Sequence, residues 1–284
     1  VTFRINNAEK KYINKITIIG NERTLDKVIR RNMRLAEGDA FVPNLIARSK
    51  TLIGNLGFFS SLDIKEVGSI KPGYSDLIVQ VGETSTGEVS FGGGYSSQVG
   101  GILNIGVTEK NFLGKGQRIS VNAKLSERES DYTASFSEPY FLDRDLYSSF
   151  SIYNNTFDYK ESRYSLKREG FDMSGNFSLS EYIRQSTTYS LEKRNLKPRD
   201  GASASIFSEQ GETTLSQVST SLNMDTRSSS MNPNDGYNLS VSSGIAGIGG
   251  DKKFIKLLTS GNYYISYNDD SILLSLGYNS GLIM

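Results

Sequence analysis

Phe171-Asp172-Met173-Ser174-Gly175-Asn176-Phe177-Ser178-Leu179 puts an apolar or small residue at each odd position and a polar one at each even position. Successive side chains of a strand point to opposite faces, so a period of two describes a ribbon with one apolar and one wet face. The same rhythm runs through Ile119–Leu125, Tyr132–Ser137, Tyr237–Ile245 and Ile272–Tyr278. Carried along the chain after Gly87, it predicts roughly eleven strands, many of about ten residues, longer than the 5–6 usual in soluble sheets. A soluble all-β domain also alternates, because its strands face core on one side and water on the other. On pattern alone that reading stays open.

Two further features favour a membrane barrel. Tyr132, Phe141, Tyr147, Tyr153, Tyr189, Tyr237, Tyr263 and Tyr278 fall near expected strand ends, as aromatic girdles at two interfaces would. The connections also fall into two sets. Asn111–Gly116, Pro139–Asp145, Glu181, Asp225–Gly236 and Asn268–Asp270 form one. Ser96–Gly100, Ser126–Asp131, Asn155–Lys167, Asn195–Glu212 and Ile248–Lys253 form the other, which holds the longest and most polar loops. A barrel with short turns on one side and long loops on the other predicts such an asymmetry, although Asp225–Gly236 is long for a turn.

Upstream, residues 11–84 read as a small α+β unit of order β-α-α-β-β. Ile13–Ile19 is expected as a strand ending at Gly20-Asn21. Thr24 is expected to cap a helix running to about Leu35, with Leu25, Val28, Ile29 and Met33 on one face and Glu37-Gly38-Asp39 breaking it. Pro43 suits the first turn of a second helix. Leu45, Ile46, Ser49, Leu52, Ile53 and Leu56 make its apolar stripe, and Gly57 suits its end. Strands Leu62–Val67 and Asp76–Val81 follow, joined at Lys71-Pro72-Gly73.

Composition excludes more than it proves. The 284 residues contain neither His nor Cys, which removes imidazole bases, thiol nucleophiles and most zinc or iron sites. Lys+Arg 32 against Asp+Glu 31 lacks the basic excess of a nucleic-acid partner. No apolar run approaches the ~20 residues of a spanning helix, which leaves barrel strands untouched. Asp143, Asp145, Glu127, Glu129 and Asp131 sit in expected turns and read as solvated charges, as does the basic run Lys193, Arg194, Lys197 and Arg199. No catalytic residue, cofactor or metal is expected. The start at Val1 and the apolar ending Gly281–Met284 are both read as internal to a longer protein.

Several strings resemble the BamA-type family of outer-membrane β-barrel assembly factors, in which POTRA domains precede a barrel. They are Gly20-Asn21-Glu22-Arg23-Thr24 with Val28–Arg34 and Glu37-Gly38-Asp39, then Leu56-Gly57-Phe58-Phe59, Glu88–Ser97, Asn111–Gly116, Glu138–Phe141, and Asp225-Thr226-Arg227 with Pro233 and Gly236. Asn32 departs from the Glu usual in the family. The resemblance implies residues 1–10 as the end of a preceding POTRA domain, 11–84 as the barrel-proximal POTRA domain, and 85–284 as an incomplete barrel of about eleven strands out of sixteen.

It also implies a function: insertion of other β-barrel proteins into the outer membrane of a Gram-negative bacterium, with the POTRA domain in the periplasm. The partners would be unfolded outer-membrane clients, assembly-complex lipoproteins and outer-membrane lipid. The first barrel strand, with Glu88, Val89, Ser90, Phe91, Gly92, Gly93, Gly94 and Tyr95, would open and pair with the client's strand. Its three glycines would weaken the seam, or merely ease curvature. The POTRA edge Leu62, Asp63, Ile64, Lys65, Glu66 and Val67 would accept an extended client, unless Lys65 and Glu66 guard it. A POTRA-barrel secretion transporter and a passive porin or surface antigen are the alternatives.

Overall fold

The computed structural model describes residues 10–267 and 272–284. The end of a preceding POTRA domain expected at residues 1–10 lies, apart from Lys10, outside them, as does the turn Asn268–Asp270. Contacts divide the chain into two compact units, one reaching to Glu88 and including Thr108–Arg118, the other Val89–Val107 with Ile119–Met284.

The first unit has the expected order: β1 (Tyr12–Ile19), α1 (Asp26–Arg30), α2 (Pro43–Gly54), β2 (Phe59–Gly68) and β3 (Tyr74–Glu83). β3 lies in the middle of the sheet, parallel to β1 and antiparallel to β2. Its alternation turns Leu77, Val79 and Val81 inward, where they meet Ile13 and Ile16 of β1, Ile29 of α1 and Ile53 of α2. Burial of this one cluster holds the unit together, at ~1.5–3 kcal/mol per fully buried aliphatic side chain. Pro43 opens α2, and Gly57, at φ +70°, follows its end in the left-handed conformation.

The first helix departs from expectation. It begins at Asp26 with Leu25 in the capping position and ends at Arg30, well short of Leu35. Thr24 caps nothing. Its N–H donates to Glu83 Oε1 at 2.7 Å and its hydroxyl accepts from Asn111 Nδ2 at 2.9 Å, so long-range partners have taken the groups a cap would use. Val28 and Ile29 are buried, while Leu25 is exposed rather than on the packed face.

Eleven strands follow as one antiparallel sheet in sequence order: β4 (Gly87–Ser96), β5 (Gly100–Phe112), β6 (Gln117–Ser126), β7 (Glu129–Glu138), β8 (Tyr147–Tyr159), β9 (Tyr164–Ser178), β10 (Ile183–Pro198), β11 (Gly211–Asp225), β12 (Asp235–Ala246), β13 (Phe254–Tyr267) and β14 (Ile272–Ile283). A short helix, α3 (Ala204–Ser208), sits between β10 and β11. Among the described residues β4 and β14 are the two ends of an open sheet.

Period two is visible in the exposures. Leu239, Val241 and Ile245 of β12 are exposed, while Ser240, Ser242 and Gly244 between them are partly or fully covered. Val121, Tyr132, Ile152, Met173, Leu222, Leu274 and Leu276 likewise project from the sheet as large exposed apolar groups. A soluble fold would bury these side chains against a second layer, and no such layer covers them among the described residues.

One connection is corrected. Asn155–Lys167 is not a long loop. β8 runs on to Tyr159 and β9 starts at Tyr164, leaving only residues 160–163 as the turn. Tyr159 faces Tyr164 in register, with ring centroids 4.7 Å apart, and Arg168 lies 5.0 Å over the Phe157 ring. Backbone pairing and this aromatic ladder, with Phe157, Tyr159, Tyr164 and Leu166 on one face, extend the hairpin through the stretch the sequence offered as a polar loop.

Candidate functional site

The expected first barrel strand is β4, hydrogen-bonded to β5 on one side and lying at the end of the sheet. Period two puts Val89, Phe91 and Tyr95 on one face, 76%, 76% and 81% exposed. Gly92 and Gly94 have nothing within 4 Å of where a Cβ would sit, so their small size is not demanded by packing. What three glycines in a row do supply is a strand with little side-chain contact to hold it. Glu88 Oε2 pairs with Lys110 Nζ of β5 at 2.9 Å and anchors the start of β4.

The second predicted edge is β2, which pairs with β3 alone in its three-stranded sheet. Leu62 and Ile64 pack against the core, whereas Asp63, Lys65 and Val67 are exposed. Glu66 accepts from Ser75 Oγ at 2.7 Å and from Lys11 Nζ at 3.0 Å, and these bonds hold its carboxyl below the ordinary value of 4.5. Asp63 pairs with Lys50 at 3.1 Å and is lowered in the same way. Of the two gatekeepers the sequence offered, Glu66 is thus bonded to Ser75 and Lys11, whereas Lys65 lies 3.9 Å from Asp63 on its own strand, and the free backbone of β2 is flanked by exposed charge. β4 and β2 belong to different sheets, so the two predicted edges are separate surfaces.

Two clusters escaped the sequence reading. In the first unit, Glu83 at the end of β3 receives the N–H groups of Arg23 (2.9 Å) and Thr24 (2.7 Å). Burial pushes its carboxyl up, but the Thr24 and Arg23 hydrogen bonds outweigh this and hold it below the ordinary value. Asn111, at the end of β5, donates to the Thr24 hydroxyl at 2.9 Å and accepts from Gly116 N–H at 2.7 Å. Both strings were legible as motifs, but nothing in either announced the other as its partner.

In the second unit, Tyr153 of β8 reaches across β9 to Glu192 of β10, O–H to Oε2 at 2.8 Å. Gly170 of β9 lies between them, and a Cβ there would sit 2.8 Å from the Tyr153 hydroxyl and 2.5 Å from the Leu191 carbonyl oxygen. Glu192, only 6% exposed, also pairs with Arg194. The signal available in the sequence was a strand-interior glycine one register step from a charged residue on the polar face. It reads as ordinary alternation until the register is known.

A β-α-α-β-β unit joined in one chain to a long-stranded antiparallel sheet with an uncovered apolar face defines an outer-membrane barrel protein bearing an accessory domain. The apolar face of that sheet needs a bilayer, since water would leave it bare. The chain belongs to the Omp85 superfamily: the model described as "Omp85 superfamily domain" matches residues 111–284, and the POTRA model, "Surface antigen variable number repeat", matches residues 11–84.

It is 34% identical over 285 residues to the outer membrane protein assembly factor BamA of Neorickettsia risticii, covering 100% of this chain and 38% of that protein. It is 31% identical over 261 residues to BamA of Nitratidesulfovibrio vulgaris, with 90% of this chain and 32% of that one covered. The chain therefore spans about two-fifths or less of the length of these relatives. Among solved structures, BamA from Haemophilus ducreyi lacking POTRA domains 1–3 matches with a TM-score of 0.74 at 21% identity, over 96% of this chain and 56% of that one; at that identity it supports the fold alone.

Proposed function

We propose that the protein containing this chain assembles β-barrel proteins and inserts them into the outer membrane, using residues 11–84 as a periplasmic POTRA domain and 85–284 as part of its barrel. Its partners are unfolded outer-membrane clients, assembly lipoproteins and outer-membrane lipid, and no covalent step is needed. The observation that carries the reading is the Gly92-Gly93-Gly94 run of β4, which leaves that strand little side-chain contact, in a chain that joins a POTRA unit to barrel strands. A barrel strand entering hydrocarbon with unpaired N–H and C=O groups meets a penalty of several kcal/mol per group. A weakly held edge that lends its own N–H and C=O groups lowers that barrier. Glu88–Tyr95 form that edge, and Leu62–Val67 of β2 accept the extended client earlier by strand addition. The names borne by the relatives support the same reading.

Depletion of the protein in its own cells tests this. The expected result is a several-fold fall in folded, membrane-inserted barrel proteins, with inner-membrane proteins unchanged. Barrel insertion at normal levels overturns the proposal.

A further inference from the structure

The turn Leu113–Gly116 joins β5 to β6, and a turn at a strand end is ordinarily exposed and loosely held. This one belongs to the same compact unit as the β-α-α-β-β fold. Leu25 N–H donates to Gly114 O at 2.9 Å, Arg31 Nη2 donates to Lys115 O at 3.3 Å, and Asn111 Nδ2 donates to Thr24 Oγ1 at 2.9 Å. Asn111 is 8% exposed and Thr24 2%.

The glycines of the turn are constrained twice. Gly114 and Gly116 both stand at φ +70°, which the turn itself explains. In addition, a Cβ on Gly114 would sit 1.9 Å from the Arg23 carbonyl oxygen, and one on Gly116 would sit 2.6 Å from Arg31 Nη2 and 3.1 Å from Val28 Cγ1. A turn that served only as a connector would need the first property and not the second. Glu83 completes the arrangement by holding the Arg23 and Thr24 N–H groups.

We infer that the Asn111–Thr24 pair is an anchor that fixes the end of β5, so that β4, the strand hydrogen-bonded to β5, can exchange partners while its neighbour stays in place. The inference rests on the proposed role of β4 in assembly. An edge that is lent to a client works only if the strand behind it does not peel away with it, because each further unpaired backbone group would be left in lipid. Thr24 and Asn111 are positioning residues and touch no client.

The test uses the whole protein in liposomes, with a purified unfolded barrel protein as client. Asn111→Asp keeps the acceptor for Gly116 N–H and removes the donor to Thr24. Thr24→Val removes the acceptor, and Thr24→Ser keeps it. Asn111→Asp and Thr24→Val are each expected to slow client folding by about tenfold, the size of one lost buried hydrogen bond. The double variant should be no slower than either single one, Thr24→Ser should match the unsubstituted protein, and the variants should themselves remain folded by gel mobility. Unchanged client folding in both single variants, or strictly additive losses, overturns the inference.

Amide exchange at Leu25 gives a readout independent of clients. Protection that is lost in Asn111→Asp supports the anchor, and protection that is unchanged refutes it. If the unsubstituted protein fails to speed client folding over empty liposomes, the assembly reading falls, and the exchange result still decides whether the turn is anchored.

Discussion

Replacing Val241 by Arg is expected to prevent stable insertion of the barrel, whereas the same change at Ser240 or Ser242 is expected to be tolerated. Val241 lies in the middle of β12 and projects from the apolar face, between two serines on the opposite face. In a bilayer, Arg at a strand midpoint costs roughly 2–4 kcal/mol on the lipid side and little on the wet side. Two residues one position apart should therefore differ by about 30-fold or more in folded fraction. The measurement is urea titration of the whole protein in lipid, read by the mobility shift of the folded barrel. With no bilayer over that face, the exposed Val241 position would stay in water and accept Arg as readily as the two serines. Equal effects at the three positions would remove the basis for membrane residence.

The second large effect is expected at Gly170. With a Cβ 2.5 Å from the Leu191 carbonyl oxygen and 2.8 Å from the Tyr153 hydroxyl, Gly170→Val must displace either the β10 backbone or the tyrosine. Displacing the tyrosine breaks its bond to Glu192 and leaves a carboxylate that is 6% exposed with Arg194 as its remaining ion-pair partner. Overpacking and a lost bond to a charged group together put the cost at about 3–5 kcal/mol. Tyr153→Phe, which removes only the hydroxyl, should cost about 1.5–3 kcal/mol. Both are measured by the same urea titration. If Gly170→Val is milder than Tyr153→Phe, the bridge across β9 does not contribute as described.

How much of this was legible beforehand depends on whether the relevant interactions are local. Alternation is a property of one strand, and it marked β6, β7, β9, β12 and β14 without knowledge of their neighbours. The second helix was equally readable, because Pro43, the Leu45–Leu56 stripe and Gly57 are all signals inside one segment. The first helix was misjudged at Thr24 for the opposite reason. A threonine before a helix is a good local cap, but Glu83 and Asn111, distant in sequence, compete for its groups and win.

Asn155–Lys167 misled in another way. Polar residues were read as a loop, yet a hairpin needs only backbone pairing and a few ring contacts, and Tyr159 with Tyr164 supplies one. β2 could be placed beside β3 from element order, whereas β4 was singled out only by the resemblance of Glu88–Ser97 to a first barrel strand. The Tyr153–Glu192 bridge was invisible because it depends on the register of three strands, and a one-residue slip would send both side chains to the other face.

Client adducts along β4 test the central claim most directly. A photocrosslinking residue is placed singly at Glu88 through Tyr95 in the whole protein while a barrel client is being synthesised. Met173 on the mid-sheet strand β9, equally exposed to lipid by this account, serves as the control. The expected result is client adducts at successive β4 positions and almost none at Met173. Adducts absent from β4, or no more frequent there than at Met173, would contradict the assignment of β4 as the edge lent to incoming strands.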